Sequence, residues 1–353
     1  MTASQLVKSI ADKTGASPTT VRRVLRGGNK EVWPGAAERA AYIRATARAL
    51  GFLSNASASA VRKGRFDSVL LVLGNDPGRS NLPELLLHSI CASLEEKGKR
   101  LSVARCADTE LSDPTRFPAF LAQRSCDGVI VNYTHGHPDR MEAVLNTCGM
   151  PFVWLNAPFE ENCVRYGDFG AGRRAARQLI DAGHRRLAWL DLRHRPDEKA
   201  HYSAAERKTG FLEEVADAGL PTPLVMSLGG LECGAQRAEL AAMMNCGKRP
   251  TGLAVYDRAD RVLLAAASAG LSVPRDLSMI TFAETGYEIC GISPTLLAVP
   301  SAAAGRLAVK SLLRRIASNG AAIRIDPLDF DLEEGETLAP PRTMNAATER
   351  ETP

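Results

Sequence analysis

The run Ser17-Pro18-Thr19-Thr20-Val21-Arg22-Arg23 sets three hydroxyls and two guanidiniums on one short stretch of chain. That is the chemistry of nucleic-acid readout. Threonine hydroxyls meet base edges, and arginine forks onto guanine or holds a phosphate. A helix that starts at Ser17-Pro18 would enter a major groove with this end first. On this reading Thr19, Thr20 and Arg23 read or position the groove, while Arg22 and Lys8 mainly hold phosphate, with Ser17, Pro18 and Asn29 flanking them. Charge is distributed to match. Residues 1–67 carry 12 Lys+Arg against 4 Asp+Glu, a net of +8, whereas the whole chain carries only +4. A basic excess confined to one end points to a polyanion-binding module on a near-neutral body.

Other reactive residue types lack the spacing that chemistry needs. Eight cysteines are scattered without a C-x-x-C, as free thiols of a reducing compartment are. His135 and His137 are close, but they sit in a Gly/Pro-containing loop without a cysteine or carboxylate at ligand spacing, so no metal site is expected. There is no G-x-S-x-G, no phosphate-binding G-x-x-x-x-G-K-[ST] and no H-E-x-x-H, so no catalytic set and no cofactor are expected. One string competes: Gly170-Ala171-Gly172-Arg173-Arg174-Ala175, with Asp191 about twenty residues on, nearly writes the dinucleotide fingerprint of a nicotinamide-dependent oxidoreductase. That motif requires an apolar strand feeding its first glycine, and Arg165, Gly167 and Asp168 interrupt any such strand.

The elements that must position the N-terminal groups can be read from periodicity. Leu6, Val7, Ile10 and Ala11 form one apolar stripe, which Thr14-Gly15 stops. Ser17-Pro18 restarts a helix whose buried face is Val21, Val24 and Leu25. Two short helices about a glycine turn make a helix-turn-helix. A merely solubilising basic tail would lack this periodicity. A third, Ala-rich helix runs from Ala36 to Leu50.

From Ser68 the pattern changes to alternating strands and helices. Val69–Leu73, Ser102–Cys106, Gly128–Val131 and Phe152–Leu155 form one set of strands, and Leu187–Leu190, Leu224–Ser227, Leu253–Tyr256 and Met279–Phe282 a second. Regular alternation predicts doubly wound parallel sheets. No apolar run approaches the roughly 20 residues that span a bilayer, and polar residues break the N-terminus too often for a secretory signal, so the expected location is the cytoplasm, at the nucleoid.

The stretches TGASPTTVRRVLRG and RALGFLSNASASAVRKGR, followed by a strand, resemble the lactose-repressor (LacI/GalR) family of bacterial transcription regulators. Later strings keep the resemblance in order: Asp127–Val131, Gly183–Ala188, Ala218–Pro221, Thr251–Asp257 and Gly270–Ser278. The resemblance implies a small all-α helix-turn-helix headpiece over 1–54, a hinge over 55–67, a periplasmic-binding-protein-like α/β core of two doubly wound lobes over 68–339, and a flexible tail over 340–353. It implies a homodimeric repressor on a palindromic operator, with Asn55, Ala58 and Val61 of the hinge on DNA. A small-molecule effector, a sugar or sugar derivative, would lie between the lobes. Carried over by position, Asn156 and Arg207 anchor it, Tyr256, Asp257 and Glu284 shape the far wall, and Asn75 stands near the first strand's end. Tyr256 replaces the family's asparagine and Ala283 its aspartate, which argues against a simple sugar. A free-standing solute-binding protein is the competing expectation.

Overall fold

A computed structural model describes residues 3–25, 33–51, 65–75, 78–124, 126–134, 140–193 and 201–342. The chain divides into two compact units, Met1–Asp67 and Ser68–Pro353. In the first, helices α1 (Ala3–Thr14), α2 (Pro18–Leu25) and α3 (Pro34–Ala49) enclose a core of Val7, Ile10, Ala11, Val21, Val24, Ala40, Ile43 and Ala47. The α1 stripe therefore packs as the periodicity predicts. Gly15, at φ +65°, makes the turn, and Ser17 caps α2 by accepting the Thr20 N–H at 3.1 Å. Asn29, Asn55, Ala58, Val61, His135 and His137 lie outside the described residues.

The second unit contains two sheets. The first has the order β2-β1-β3-β4-β5, all parallel, from β1 (Ser68–Gly74), β2 (Arg100–Cys106), β3 (Gly128–Asn132), β4 (Phe152–Leu155) and β5 (Cys163–Val164). Every residue of β1 is buried, because helices cover both faces of its sheet and leave no face for polar side chains. Helix α4 (Glu84–Glu95) lies on one face, and α5 (Asp108–Leu111), α6 (Arg116–Arg124) and α7 (Met141–Thr147) follow in sequence among the other strands.

The second sheet has the order β11-β10-β9-β8-β6-β7, from β6 (Leu187–Asp191), β7 (Leu224–Ser227), β8 (Gly252–Tyr256), β9 (Ser278–Ala283), β10 (Thr295–Ala298) and β11 (Asp331–Glu333). Only β11 runs antiparallel to its neighbour among these described strands. Helices α8 (Asp168–Asp181) and α9 (Tyr202–Asp217) pack on each other, while α10 (Cys233–Met244) and α11 (Ala259–Ser268) enclose the core on the other side. Helix α12 (Ser301–Ala317) follows β10 in sequence but packs on α4, β3 and β4 of the first lobe. The backbone thus crosses between lobes after β5, after β10 and after α12.

The Gly170-Ala171-Gly172 string lies inside α8, not in a strand-to-helix turn. A Cβ on Gly172 would stand 1.9 Å from the carbonyl oxygen of Arg207, and one on Gly210 would stand 2.0 Å from that of Phe169. These glycines let two helices touch backbone to backbone, which removes the reason for a dinucleotide fingerprint.

Candidate functional site: a cleft between two lobes

The strands of both sheets end at one cleft of about 440 Å³. Parallel α/β sheets place their ligand crevices there, since loops leaving carboxyl ends of neighbouring strands diverge. The first lobe contributes Asn132 at the end of β3 and Asn156 just beyond β4. The second contributes Arg207 from α9, Tyr256 and Asp257 at the end of β8, and Glu284 just past β9. Five of the six residues expected to hold an effector therefore line one cavity. Asn75 is not among the lining residues; it is exposed, and its N–H continues the ladder to the Cys106 carbonyl.

Arg207 is not a solvated helix residue, being only 7% exposed. Its Nε donates to Asp168 Oδ1 at 2.7 Å, and its guanidinium carbon lies 4.8 Å from the ring centres of Phe282 and Phe330 and 5.3 Å from that of Tyr256. Asp168 is fully buried, and burial pushes its carboxyl above the ordinary carboxylate range although Arg207 pulls it down. Arg193 repeats the arrangement nearer solvent. It grips both carboxylate oxygens of Asp191 through Nε and Nη2, and its guanidinium carbon lies 5.8 Å from the Tyr256 ring centre. The Tyr256 ring is thus flanked by two guanidiniums.

Two hydrogen-bonded chains cross the cleft walls. Asn156 O only accepts, so His201 Nε2 carries the hydrogen at 3.1 Å and Nδ1 accepts from Ser203, whose N–H and Oγ lie 3.2 and 2.7 Å away. Ser203 Oγ in turn receives the Tyr256 hydroxyl at 3.1 Å. Tyr202 donates to Asn156 Oδ1 at 2.8 Å, so the start of α9 holds the end of β4 twice, across the lobes. Asn156 takes a φ of +51° there. The second chain runs from Tyr166, whose hydroxyl burial pushes up to about 12, to Ser301 and from Ser301 Oγ to Glu284 Oε1 at 2.6 Å. Ala283, at the family's aspartate position, has no carboxylate, but Glu284 beside it returns one to the cleft.

Asn132, Tyr166, Arg193, His201, Ser203 and Ser301 are among the cleft groups that the sequence did not mark, and Asp168 lies buried behind Arg207. On the headpiece, Lys8, Ser17, Pro18, Thr19, Arg22 and Arg23 are exposed and Thr20 is partly so. No group of three or more His, Cys, Asp or Glu suited to a metal occurs among the described residues. None of the described helices is long and apolar enough to cross a membrane.

Residues 176–337 match the family model of a periplasmic binding protein-like domain. The chain is 26% identical over 339 residues to the HTH-type transcriptional regulator GntR of Pseudomonas aeruginosa, covering 93% of each. It is 26% identical over 324 residues to the HTH-type transcriptional regulator CelR of Thermobifida fusca, covering 88% of this chain and 91% of that one. The fold is that of the lac repressor dimer bound to operator and the anti-inducer ONPF, with a TM-score of 0.72 at 19% identity over 94% of this chain and 98% of that one. It is likewise similar to the CelR–cellobiose complex, with a TM-score of 0.60 at 20% identity over 94% and 99%. With a helix-turn-helix ahead of a two-lobed binding core, the chain is similar over nearly its whole length to relatives that are HTH-type transcription regulators, and it has the fold of the lac repressor.

Proposed function

We propose that this protein is a homodimeric repressor of transcription that binds a palindromic operator in the cytoplasm, at the nucleoid, and is released or retained by a small polyhydroxylated effector held between its lobes. The observation that carries the reading is the cleft itself, walled from both lobes and containing a buried Arg207. A ligand touching both walls favours one lobe arrangement over another, which is the differential affinity that effector control requires. The similar lac repressor structure is of a dimer on its operator, and the similar CelR structure holds cellobiose. One recognition helix reads only a few base pairs, so two copies supply the affinity and make the site palindromic. Thr19, Thr20 and Arg23 read the groove, and Lys8 and Arg22 hold phosphate.

Selection of binding sites from random duplexes by the purified full-length protein tests this. A two-fold symmetric motif is the expected product, and its occupancy should change when an effector is added. Recovery of no symmetric motif, with or without small molecules, refutes the proposal.

A further inference from the structure

A second concavity lies at the other ends of the second sheet's strands. The cleft stands where β8 finishes, at Tyr256 and Asp257, whereas a pocket of about 360 Å³ stands where β6, β7 and β8 begin, beside Leu187, Leu224 and Pro250. Two short basic turns meet there. Arg185-Arg186 leads into β6 and Lys248-Arg249 leads toward β8, and these strands are parallel neighbours, so their leading turns come side by side. The Arg186 carbonyl fastens the two turns by accepting the Thr251 N–H at 2.8 Å and the Gly252 N–H at 3.2 Å.

All four cations line the pocket, and no aspartate or glutamate lines it with them. Arg185 Nη1 donates to the carbonyls of Ile180 and His184, at 3.1 and 3.2 Å. The side chains of Arg186, Lys248 and Arg249 have no hydrogen-bond or ion-pair partner among the described residues. Arginines elsewhere in this lobe are paired, Arg173 with Glu214 and Asp217, Arg193 with Asp191 and Arg258 with Asp260, so the surplus of positive charge is local to the pocket. Arg249 Nε is also shut off from water without an acceptor. A buried N–H left in that state is costly, and an anion that supplies the acceptor removes the cost. The floor between the cations is apolar: Leu187, Met243 and Pro250 are buried, and Leu224 stands 44% exposed beside them. A hollow of this volume and lining holds an organic body, not a bare ion.

We infer that this pocket binds a small organic anion, an apolar ring or chain carrying a phosphate, with Arg186, Lys248 and Arg249 on the phosphate and Leu187, Leu224 and Met243 against the body. Several cations without a counter-charge favour a dianion over a single carboxylate, and guanidinium forks match phosphate oxygens. Every lining residue belongs to the second lobe, so this ligand favours no lobe arrangement by itself and is distinct from the effector of the cleft.

Titration calorimetry of the full-length protein with 1-naphthyl phosphate, 1-naphthoate, 1-naphthol and inorganic phosphate tests the inference. The naphthyl phosphate should bind at least about tenfold more tightly than each of the other three, since it alone meets both the cations and the apolar floor. Alkylation by N-ethylmaleimide, followed peptide by peptide, locates it. Saturating naphthyl phosphate should slow the reaction of Cys246, an exposed thiol of the pocket, and leave the exposed Cys91, Cys233 and Cys290 unchanged. Lys248→Gln and Arg249→Gln should each weaken binding by about tenfold, the size expected for a charge-assisted hydrogen bond. Should Arg249→Gln fail to fold, Lys248→Gln, at an exposed side chain, carries the comparison. Absence of binding overturns the inference, as does equally tight binding of any of the three comparison compounds. Binding that survives the substitutions, or that leaves Cys246 unprotected, also overturns it and moves the anion to the basic headpiece or the cleft. Operator selection and this titration fail independently of each other.

Discussion

Arg207 and Asp168 meet at 2.7 Å in a pocket where the aspartate has no solvent exposure, and the arginine's flat faces are closed by Phe282, Phe330 and Tyr256. Two charges removed from water this completely depend on each other. Removing one leaves the other buried and uncompensated.

Arg207→Ala should therefore destabilise the protein by roughly 3–5 kcal/mol, more than its lost packing alone, because Asp168 must then take up a proton or admit water. Asp168→Asn should cost less, since the amide still accepts from Nε. Urea unfolding of the two variants checks the order. Equal losses would contradict the pair's role.

Gly170 and Gly172 lie on the same helix and should respond oppositely to alanine. Gly170 faces open space, so Gly170→Ala should stabilise α8 by up to about 1 kcal/mol through helix propensity. Gly172→Ala drives a methyl group into the Arg207 backbone and should cost roughly 1–3 kcal/mol. It should also weaken effector binding by displacing Arg207. Unfolding curves and calorimetry on the pair measure both effects.

His184 sets a pH limit. It is fully buried, with Nδ1 on Thr251 Oγ1 and Nε2 on the Ala339 carbonyl, both at 3.0 Å, and burial lowers its proton affinity below the ordinary value of 6.5. The unfolded chain then takes up the proton first as pH falls. The stability His184 contributes is present above about pH 6.5 and is lost progressively below it. Melting temperature recorded from pH 8 to pH 5 should fall more steeply for the parent than for His184→Gln.

On the headpiece, Arg23→Ala should cost roughly 1–3 kcal/mol on the selected operator and relax preference at one base, while Arg22→Ala should weaken all sequences alike. Ser17→Ala removes the cap on Thr20 N–H and should destabilise the headpiece by about 1 kcal/mol. Gel-shift titrations on operator and random duplexes separate these effects. Equal losses on both duplexes for both arginine variants would refute the division.

Much of this was legible in the sequence because periodicity reports burial. The Leu6-to-Ala11 stripe, the all-buried Val69–Leu73 run and the strand–helix alternation all follow from which faces must leave water. Two of the strands that escaped notice carry too little pattern, since Cys163–Val164 is two residues long and Asp331-Leu332-Glu333 is a polar edge strand, while the buried Thr295–Ala298 is only four residues long and follows β9 without an intervening helix. Asn132 and Asn156 occupy equivalent places at strand ends, yet only Asn156 had a family position to mark it. Asp168 reads in the sequence only as a residue that interrupts a strand. Its role depends on how closely α8 approaches α9, which Gly172 and Gly210 set and no local string records. Asn75 is not among the residues lining the cleft, whereas Gly78, Ser80 and Asn81, a few residues on, are.

Helix α12 belongs to the first lobe but is encoded after nearly all of the second. During synthesis, at roughly 5–20 residues per second, the first sheet must then wait on the order of ten seconds between completing β4 and receiving the helix that covers it. Throughout that interval the apolar side chains that meet Ala304, Ala308 and Leu312 lack their cover, and a nascent first lobe is a natural client for a chaperone until the ribosome has passed residue 317. A chain cut before Ser301 would retain a nearly complete second sheet and an unfinished first lobe, so premature termination here yields an aggregation hazard rather than a smaller binding protein.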